Sequence, residues 1–333
     1  MTPTRHKKVL ITDITWANID IESTVLASAG AEAVLAPDPA EERLAALAGD
    51  ADAILTCFAQ VSEAVIASAP RLQVIGRYGV GTDNIDVEAA TRREVVVTNV
   101  PEYCTDEVAE HVLGFLLSLA RGLHHYDRAV RAGDWSLASG LPVRRVAGRT
   151  LGVVGFGAIG RRVAARAAGL GLRVIVFDRH PDAVRAAGFE PVGLDVLAER
   201  SDFVSLHVPL TEATRALVDE RFLARMQPTS YLLNCARGAV IDHAALANAL
   251  DSGAIAGAGI DVFDPEPLPA GHPLLRNPRL IATPHTAFYS EESVAALARL
   301  AAENVAAVLT GRRPATAVNS EVLALPRWTH LRP

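Results

Sequence analysis

Thr150-Leu-Gly-Val-Val-Gly-Phe-Gly-Ala-Ile-Gly160 decides how this chain is read. Leu151 to Val154 is a short apolar run with the character of a buried strand. Gly155, Gly157 and Gly160 then fall on the G-x-G-x-x-G spacing, and the alanine-rich stretch Arg161 to Leu170 has helical composition. Each glycine has a physical task. Gly155 permits the tight strand-to-helix turn, Gly157 lets a pyrophosphate approach the backbone, and Gly160 lets the helix lie close to the sheet. The helix N-terminus, at Ala158 and Ile159, offers free N–H groups to phosphate. A second apolar run, Leu172 to Phe177, ends in Asp178, eighteen residues past Gly160. A carboxylate at that point can accept hydrogen bonds from an adenosine ribose.

The bulk numbers exclude several classes. With 333 residues and half of them hydrophobic, the chain has material for two cored domains. A net charge of −6 leaves no electrostatic footprint for nucleic acid or a membrane surface. Thirty of the 32 basic residues are Arg, a bias of composition rather than a phosphate-binding pattern. Cys57, Cys104 and Cys235 are too few and too scattered for a disulfide framework or a zinc site, so no metal is expected. Met1 to Lys8 leads into a strand without the apolar stretch of a signal peptide, and no run reaches membrane-spanning length. The expectation is a reduced, cytoplasmic enzyme.

Strand-like and helix-like segments alternate through the first hundred residues. Val9 to Thr12, Ala33 to Leu35, Ala53 to Thr56, Leu72 to Gly76 and Val95 to Asn99 read as strands, with helical segments between them. Five such units imply a doubly wound parallel sheet. None of their turns carries the glycine spacing, so the dinucleotide belongs to the second half. Thr105 to Val130 reads as one long helix. Six further strands follow, from Leu151 to Val154 through Leu280 to Ala282. Glu291 to Leu309 reads as a last helix suited to a return crossing, and the tail after Gly311 as loop.

Three segments combine residue types suited to hydride transfer onto a 2-keto acid. Arg237 lies just past a strand end, Glu266 in a proline-stiffened loop beyond the strand end at Asp261, and His285 past another strand. Carboxyl ends of strands are where open α/β sheets build their crevice. A planar guanidinium can hold a carboxylate bidentately and polarise the neighbouring carbonyl. The carbonyl oxygen gains a proton as its carbon gains a hydride, a transfer suited to an imidazole. A carboxylate beside that imidazole stabilises its protonated form.

The chain resembles the D-isomer-specific 2-hydroxyacid dehydrogenase family over essentially its whole length. The matching pieces are Gly76-Arg-Tyr-Gly-Val-Gly-Thr-Asp-Asn-Ile-Asp86, Asn99-Val-Pro-Glu-Tyr-Cys-Thr-Asp-Glu-Val-Ala-Glu-His111, the glycine motif, His207-Val-Pro, Asn234-Cys-Ala-Arg-Gly238, and the segments around Glu266 and His285. The resemblance implies two doubly wound parallel-sheet domains. A Rossmann NAD-binding domain (102–289) would be inserted into a discontinuous flavodoxin-like substrate domain (1–101 with 290–333). It implies Arg237, Glu266 and His285 as the catalytic set. Gly79, Val80 and Gly81 would present N–H groups to the substrate carboxylate, together with Arg237 and His285. The cofactor surface would comprise Gly155, Gly157, Ala158, Ile159, Gly160, Asp178, Arg179, His207, Pro209, Thr214, Cys235, Ala236 and Asp261, with Asp261 on the nicotinamide side.

Within the family the chain is most similar to the C-terminal-binding-protein-like branch, with phosphoglycerate dehydrogenases nearby. Those carry an Arg-Ser-x-Thr loop after the third strand, whose Arg meets the substrate phosphate. Here the loop is Thr56-Cys-Phe-Ala-Gln-Val61, without Arg, which argues against phosphoglycerate. Family formate dehydrogenases place Gln at the position of Glu266. NAD is expected rather than NADP, because the charge of Asp178 repels a 2′-phosphate, although Arg179 pulls the other way. The roles of Arg77 and Cys104 stay open. Two other readings stand beside the enzyme of small 2-keto acids: an NAD(H)-sensing corepressor-like protein, and a biosynthetic dehydrogenase for a phosphonate or other unusual acid. A homodimer through the 105–135 arm is also expected. Val112, Leu113, Phe115, Leu116 and Leu119 make more apolar surface than one side of a helix needs.

Overall fold

The computed structural model describes residues 6–137 and 142–332. The first five residues, part of the lead-in Met1 to Lys8, and Pro333 lie outside them. The chain divides into two compact units, Met1–Tyr103 with Ser290–Pro333, and Cys104–Tyr289. Each is a parallel α/β sheet.

In the first unit the strands are β1 (Lys7–Ile11), β2 (Ala31–Leu35), β3 (Ala53–Thr56), β4 (Val74–Arg77) and β5 (Val96–Thr98). They lie in the order β2-β1-β3-β4-β5, every pairing parallel, which is the flavodoxin-like order. Alternate residues of a strand point to opposite faces, and here both faces are buried. Val9, Ile11, Leu55, Val74 and Val96 pack under Leu26, Leu297, Ala301 and Val305, whereas Leu10, Ile54, Ile75 and Val97 pack under Leu44, Val65 and Ala89. The closing helix Glu291–Leu309 starts on a capping box in which the Ser290 hydroxyl accepts the Ser293 N–H at 2.9 Å. The tail is not simple loop. Ser320–Ala324 and Pro326–Trp328 form short 3₁₀ turns. Trp328 is buried and donates its indole N–H to Glu94 O at 2.8 Å. Apolar cover, invisible to a scan for Pro and Gly, explains the order there.

The second unit contains β6 (Thr150–Val154), β7 (Arg173–Phe177), β8 (Glu190–Pro191), β9 (Phe203–Leu206), β10 (Tyr231–Asn234), β11 (Gly257–Ile260) and β12 (Leu280–Ala282). The order β12-β11-β10-β9-β6-β7-β8 is parallel throughout and is the Rossmann order with one strand added. The direction of winding reverses between β6 and β9, which places the ligand crevice outside their carboxyl ends. The two-residue β8 is absent from the sequence reading because it is too short to show a period. The expected helix over Thr105 to Val130 is two helices, Thr105–Arg121 and Leu123–Arg131, separated by Gly122 in the left-handed region at φ 62°. Glycine there ends a helix at no steric cost.

Of the apolar residues cited for a second helix face, Val112, Phe115, Leu116 and Leu119 are all buried within their own unit, against Leu151, Val153 and Leu233. They seek no partner. The exposed apolar side chains lie further along: Leu123, Val130, Trp135 and Leu137, the last two 82% and 87% exposed. Among the described residues no helix is long and apolar enough to cross a membrane, and no group of three His, Cys, Asp or Glu is placed to hold a metal ion.

Candidate active site

Loops at the carboxyl edge of the second sheet carry the singled-out residues of that unit other than Cys104. The first is the glycine turn between β6 and the helix Ala158–Gly169. Gly155 sits at φ +97°, where a Cβ would lie 2.7 Å from the His207 carbonyl oxygen. A Cβ on Gly160 would lie 2.1 Å from Gly155 O, so the helix is seated directly on the turn. A Cβ on Gly157 would meet nothing within 4 Å, which leaves open space at the helix N-terminus beside Ala158 and Ile159. That combination, closed below and open at the helix start, fits a pyrophosphate.

At the end of β7, Asp178 accepts Phe156 N–H at 2.7 Å and His180 N–H at 2.8 Å. Burial pushes its carboxyl up, but these N–H groups and the nearby charges of His180 and Arg179 outweigh it and hold the group below its ordinary value. Each oxygen keeps a lone pair for a ribose hydroxyl. Arg179 is exposed. Beyond β9, His207 is half-buried with Nε2 2.8 Å from Ser205 Oγ, and burial pushes its imidazole down to about 4. Pro209 and Thr214 belong to the same loop, which is closed by the Thr214 hydroxyl donating to Pro209 O at 2.6 Å.

After β10 the Asn234 side chain ties the turn, accepting Ala236 N–H and donating to Arg237 O, both at 2.9 Å. Burial drives the Cys235 thiol well above its ordinary value, so it is no nucleophile. The Arg237 guanidinium donates to Ala236 O at 2.8 Å. A Cβ on Gly238 would lie 2.0 Å from the Phe263 carbonyl carbon. Only glycine lets this turn press against the loop after β11, and the Arg237 charge contributes to lowering the Glu266 carboxyl.

Glu266 accepts Phe263 N–H on Oε1 at 2.6 Å and meets His285 Nδ1 on Oε2 at 2.7 Å. Burial raises its carboxyl, but the hydrogen bond and charge of His285, the Phe263 N–H and the Arg237 charge together hold it below its usual range. The carboxylate thus holds the ring by Nδ1. His285 has φ 55°, a left-handed backbone rare for a residue with a side chain. Its loop is wound around Asp261, which is fully buried and accepts the Thr283 hydroxyl, Thr286 N–H at 2.8 Å and Ala287 N–H at 2.9 Å. Every described side-chain partner of Asp261 comes from within its own unit. Motif reading missed His111 and Thr283, which join this network through a contact spanning 172 residues of chain.

In the first unit, Arg77 ends β4 and the loop after it carries Gly79, Val80 and Gly81. Gly79 has φ +138° and its N–H donates to Arg77 O at 3.0 Å, while Asn99 Nδ2 donates to Val80 O at 2.8 Å. Arg77 donates to Tyr78 O. Cys104, whose role the sequence leaves open, begins the second unit and is buried. After β3, Asp13 accepts the N–H groups of Cys57, Phe58 and Ala59. The N–H groups of that loop are therefore taken within the unit.

Residues 113–287 match the family model described as the NAD-binding domain of D-isomer-specific 2-hydroxyacid dehydrogenases. The chain is 43% identical over 280 residues to the glyoxylate reductase of Korarchaeum cryptofilum, covering 82% of this chain and 84% of that one. A glyoxylate reductase structure from Paecilomyes thermophila superposes with a TM-score of 0.85 at 28% identity, covering 95% of this chain and 99% of that one. The D-lactate dehydrogenase of Aquifex aeolicus, solved with NAD and lactic acid, gives 0.83 at 27% identity over 92% and 96%. Sequence, sheet order and these likenesses agree: the chain belongs to the D-isomer-specific 2-hydroxyacid dehydrogenase family.

Proposed function

We propose that this protein reduces a small, unphosphorylated 2-keto acid of the glyoxylate type to its D-2-hydroxy acid with NADH, and runs the reverse reaction with NAD. The family supports nicotinamide-dependent exchange between 2-keto acids and D-2-hydroxy acids, and the likeness to glyoxylate reductases points to a short substrate. The observation that carries the reading is the 2.7 Å contact of His285 Nδ1 with Glu266, whose carboxyl is held below its usual range.

A nicotinamide cofactor, when bound, would supply the hydride. Arg237 holds the substrate carboxylate and polarises the adjacent carbonyl. His285 Nε2 delivers the proton to the carbonyl oxygen as the carbon accepts the hydride, and takes it back in the oxidative direction. Glu266 keeps the imidazole oriented and stabilises its positive charge. The glycine turn and Asp178 hold the dinucleotide, and the negative Asp178 favours NAD over NADP. The absence of Arg from the loop Thr56-Cys-Phe-Ala-Gln-Val61 supports an unphosphorylated substrate. Two copies pair through the arm that carries Leu123, Val130, Trp135 and Leu137.

His285→Ala tests the proton donor. Turnover is expected to fall by about two to four orders of magnitude, the span of general acid catalysis, with NADH affinity retained. Turnover near that of the unmodified protein removes His285 from the mechanism.

A further inference from the structure

The loop that carries His285 is held by a chain of hydrogen bonds that begins on a helix far from it in sequence. Asp261, at the end of β11, is fully buried, and its carboxylate receives the Thr283 hydroxyl and the N–H groups of Thr286 and Ala287. Its backbone oxygen receives the His285 N–H at 2.8 Å. Residues 283–287 are thus wrapped around one side chain, and the wrap fixes His285 at φ 55°. Thr283 has a single hydroxyl proton, and Asp261 takes it. The Thr283 oxygen can therefore only accept from its other neighbour, His111 Nε2, at 3.0 Å. His111 must carry its proton on Nε2, and it is the donor that opens the chain. Its carboxylate distance, 3.8 Å from Nε2 to Asp261 Oδ1, adds attraction whenever the ring is charged. The ring itself is fixed by Phe115, one turn on along the same helix, with centroids 4.6 Å apart at 87°.

We propose that His111 is a positioning residue for the proton donor: through Thr283 and Asp261 it anchors the His285 loop to the helix Thr105–Arg121. This rests on the reading of His285 given above. A side chain held to a rigid helix by a fully satisfied second layer keeps its geometry within a fraction of an ångström, and loss of such a partner costs activity rather than fold. His285 must hold its left-handed backbone and its Glu266 contact at once. Slack in the wrap lets the imidazole leave the carbonyl oxygen while the substrate carboxylate stays on Arg237. The expected signature is a fall in kcat with KM nearly unchanged.

The test compares His111→Ala, His111→Gln, Thr283→Val and the double variant His111→Ala/Thr283→Val with His285→Ala, using glyoxylate and NADH. NADH binding by fluorescence reports on folding of the cofactor unit. His111→Ala and Thr283→Val are each expected to lower kcat by about 10- to 100-fold, with KM for glyoxylate within about threefold and NADH affinity retained. His111→Gln, which keeps an N–H donor, is expected to recover most of kcat. The double variant is expected to be no worse than the poorer single one, because both cut the same chain. If His285→Ala abolishes turnover while kcat survives in His111→Ala and Thr283→Val, the positioning role is wrong and the proton donor stands. Additive losses in the double variant, or a glutamine no better than alanine, overturn it as well. Turnover surviving in His285→Ala overturns the proton donor itself, and this role with it.

Discussion

His207 gives a prediction whose size follows from the structure. Its imidazole lies at the end of β9, half-buried, with Nε2 2.8 Å from Ser205 Oγ. Burial lowers it from an ordinary 6.5 to about 4. The folded protein therefore refuses a proton that the unfolded chain accepts, so falling pH favours unfolding. The contribution is intact above about pH 6.5, is lost progressively below it, and is gone once the folded ring protonates near 4. The full span of about 2.5 units corresponds to roughly 3 kcal/mol, and at pH 5 the loss is about 2 kcal/mol. Other groups titrate over the same range, so the comparison is with His207→Gln, which takes up no proton. Urea unfolding of both proteins at pH 8 and pH 5 measures the difference. The unmodified protein is expected to lose about 2 kcal/mol more than the variant. Equal losses in the two proteins, or an NMR titration of His207 near 6.5, refute the argument. The same neutrality matters for the proposed cofactor surface: a ring that stays uncharged at physiological pH adds no positive charge to attract a 2′-phosphate.

Two further outcomes are expected. Asp178→Ala removes an ionised acceptor that also holds the Phe156 and His180 N–H groups. NADH affinity should fall by about ten- to a hundredfold and discrimination against NADPH should narrow, read by fluorescence titration of both; unchanged affinities would show that the ribose is held elsewhere. In sedimentation at micromolar concentration the protein should run as a dimer, and Trp135→Ser with Leu137→Ser should shift it towards monomer. A monomeric unmodified protein would defeat the arm as an interface.

The parts legible in sequence were those whose signal is local. The apolar runs of β6, β7 and β9 to β11 stand out because both faces of the sheet are buried, so the strands are continuously apolar. The glycines at 155 and 160 stand out because backbone meets backbone there, and no other residue fits. Gly122 was legible in principle as a helix stop, but the helical composition on both sides of it hid the break. The tail was misread because Trp328 and Val322 are buried by contacts that composition does not announce. At the site, residue types suggested Arg237, Glu266 and His285. That Glu266 and His285 meet at 2.7 Å is a property of two loops set side by side by the β11–β12 pairing.

The two carboxylates after β11 show what sequence alone does not separate. Asp261 and Glu266 are five residues apart, and either is a credible partner for an imidazole. Their environments divide the work. Asp261 is fully buried, and its oxygens are taken by the Thr283 hydroxyl and the N–H groups of Thr286 and Ala287, so it acts on the backbone that carries His285. Glu266 is partly exposed, has one oxygen on Phe263 N–H and the other on the imidazole, and so acts on the ring. A charge that must respond as a proton leaves the ring is better placed at Glu266, where it touches that ring directly. A charge spent on three donors cannot respond without loosening the loop. One carboxylate therefore sets where the His285 backbone is, and the other holds its ring. That division explains why a loop with a strained backbone at its centre can still present an imidazole in one orientation.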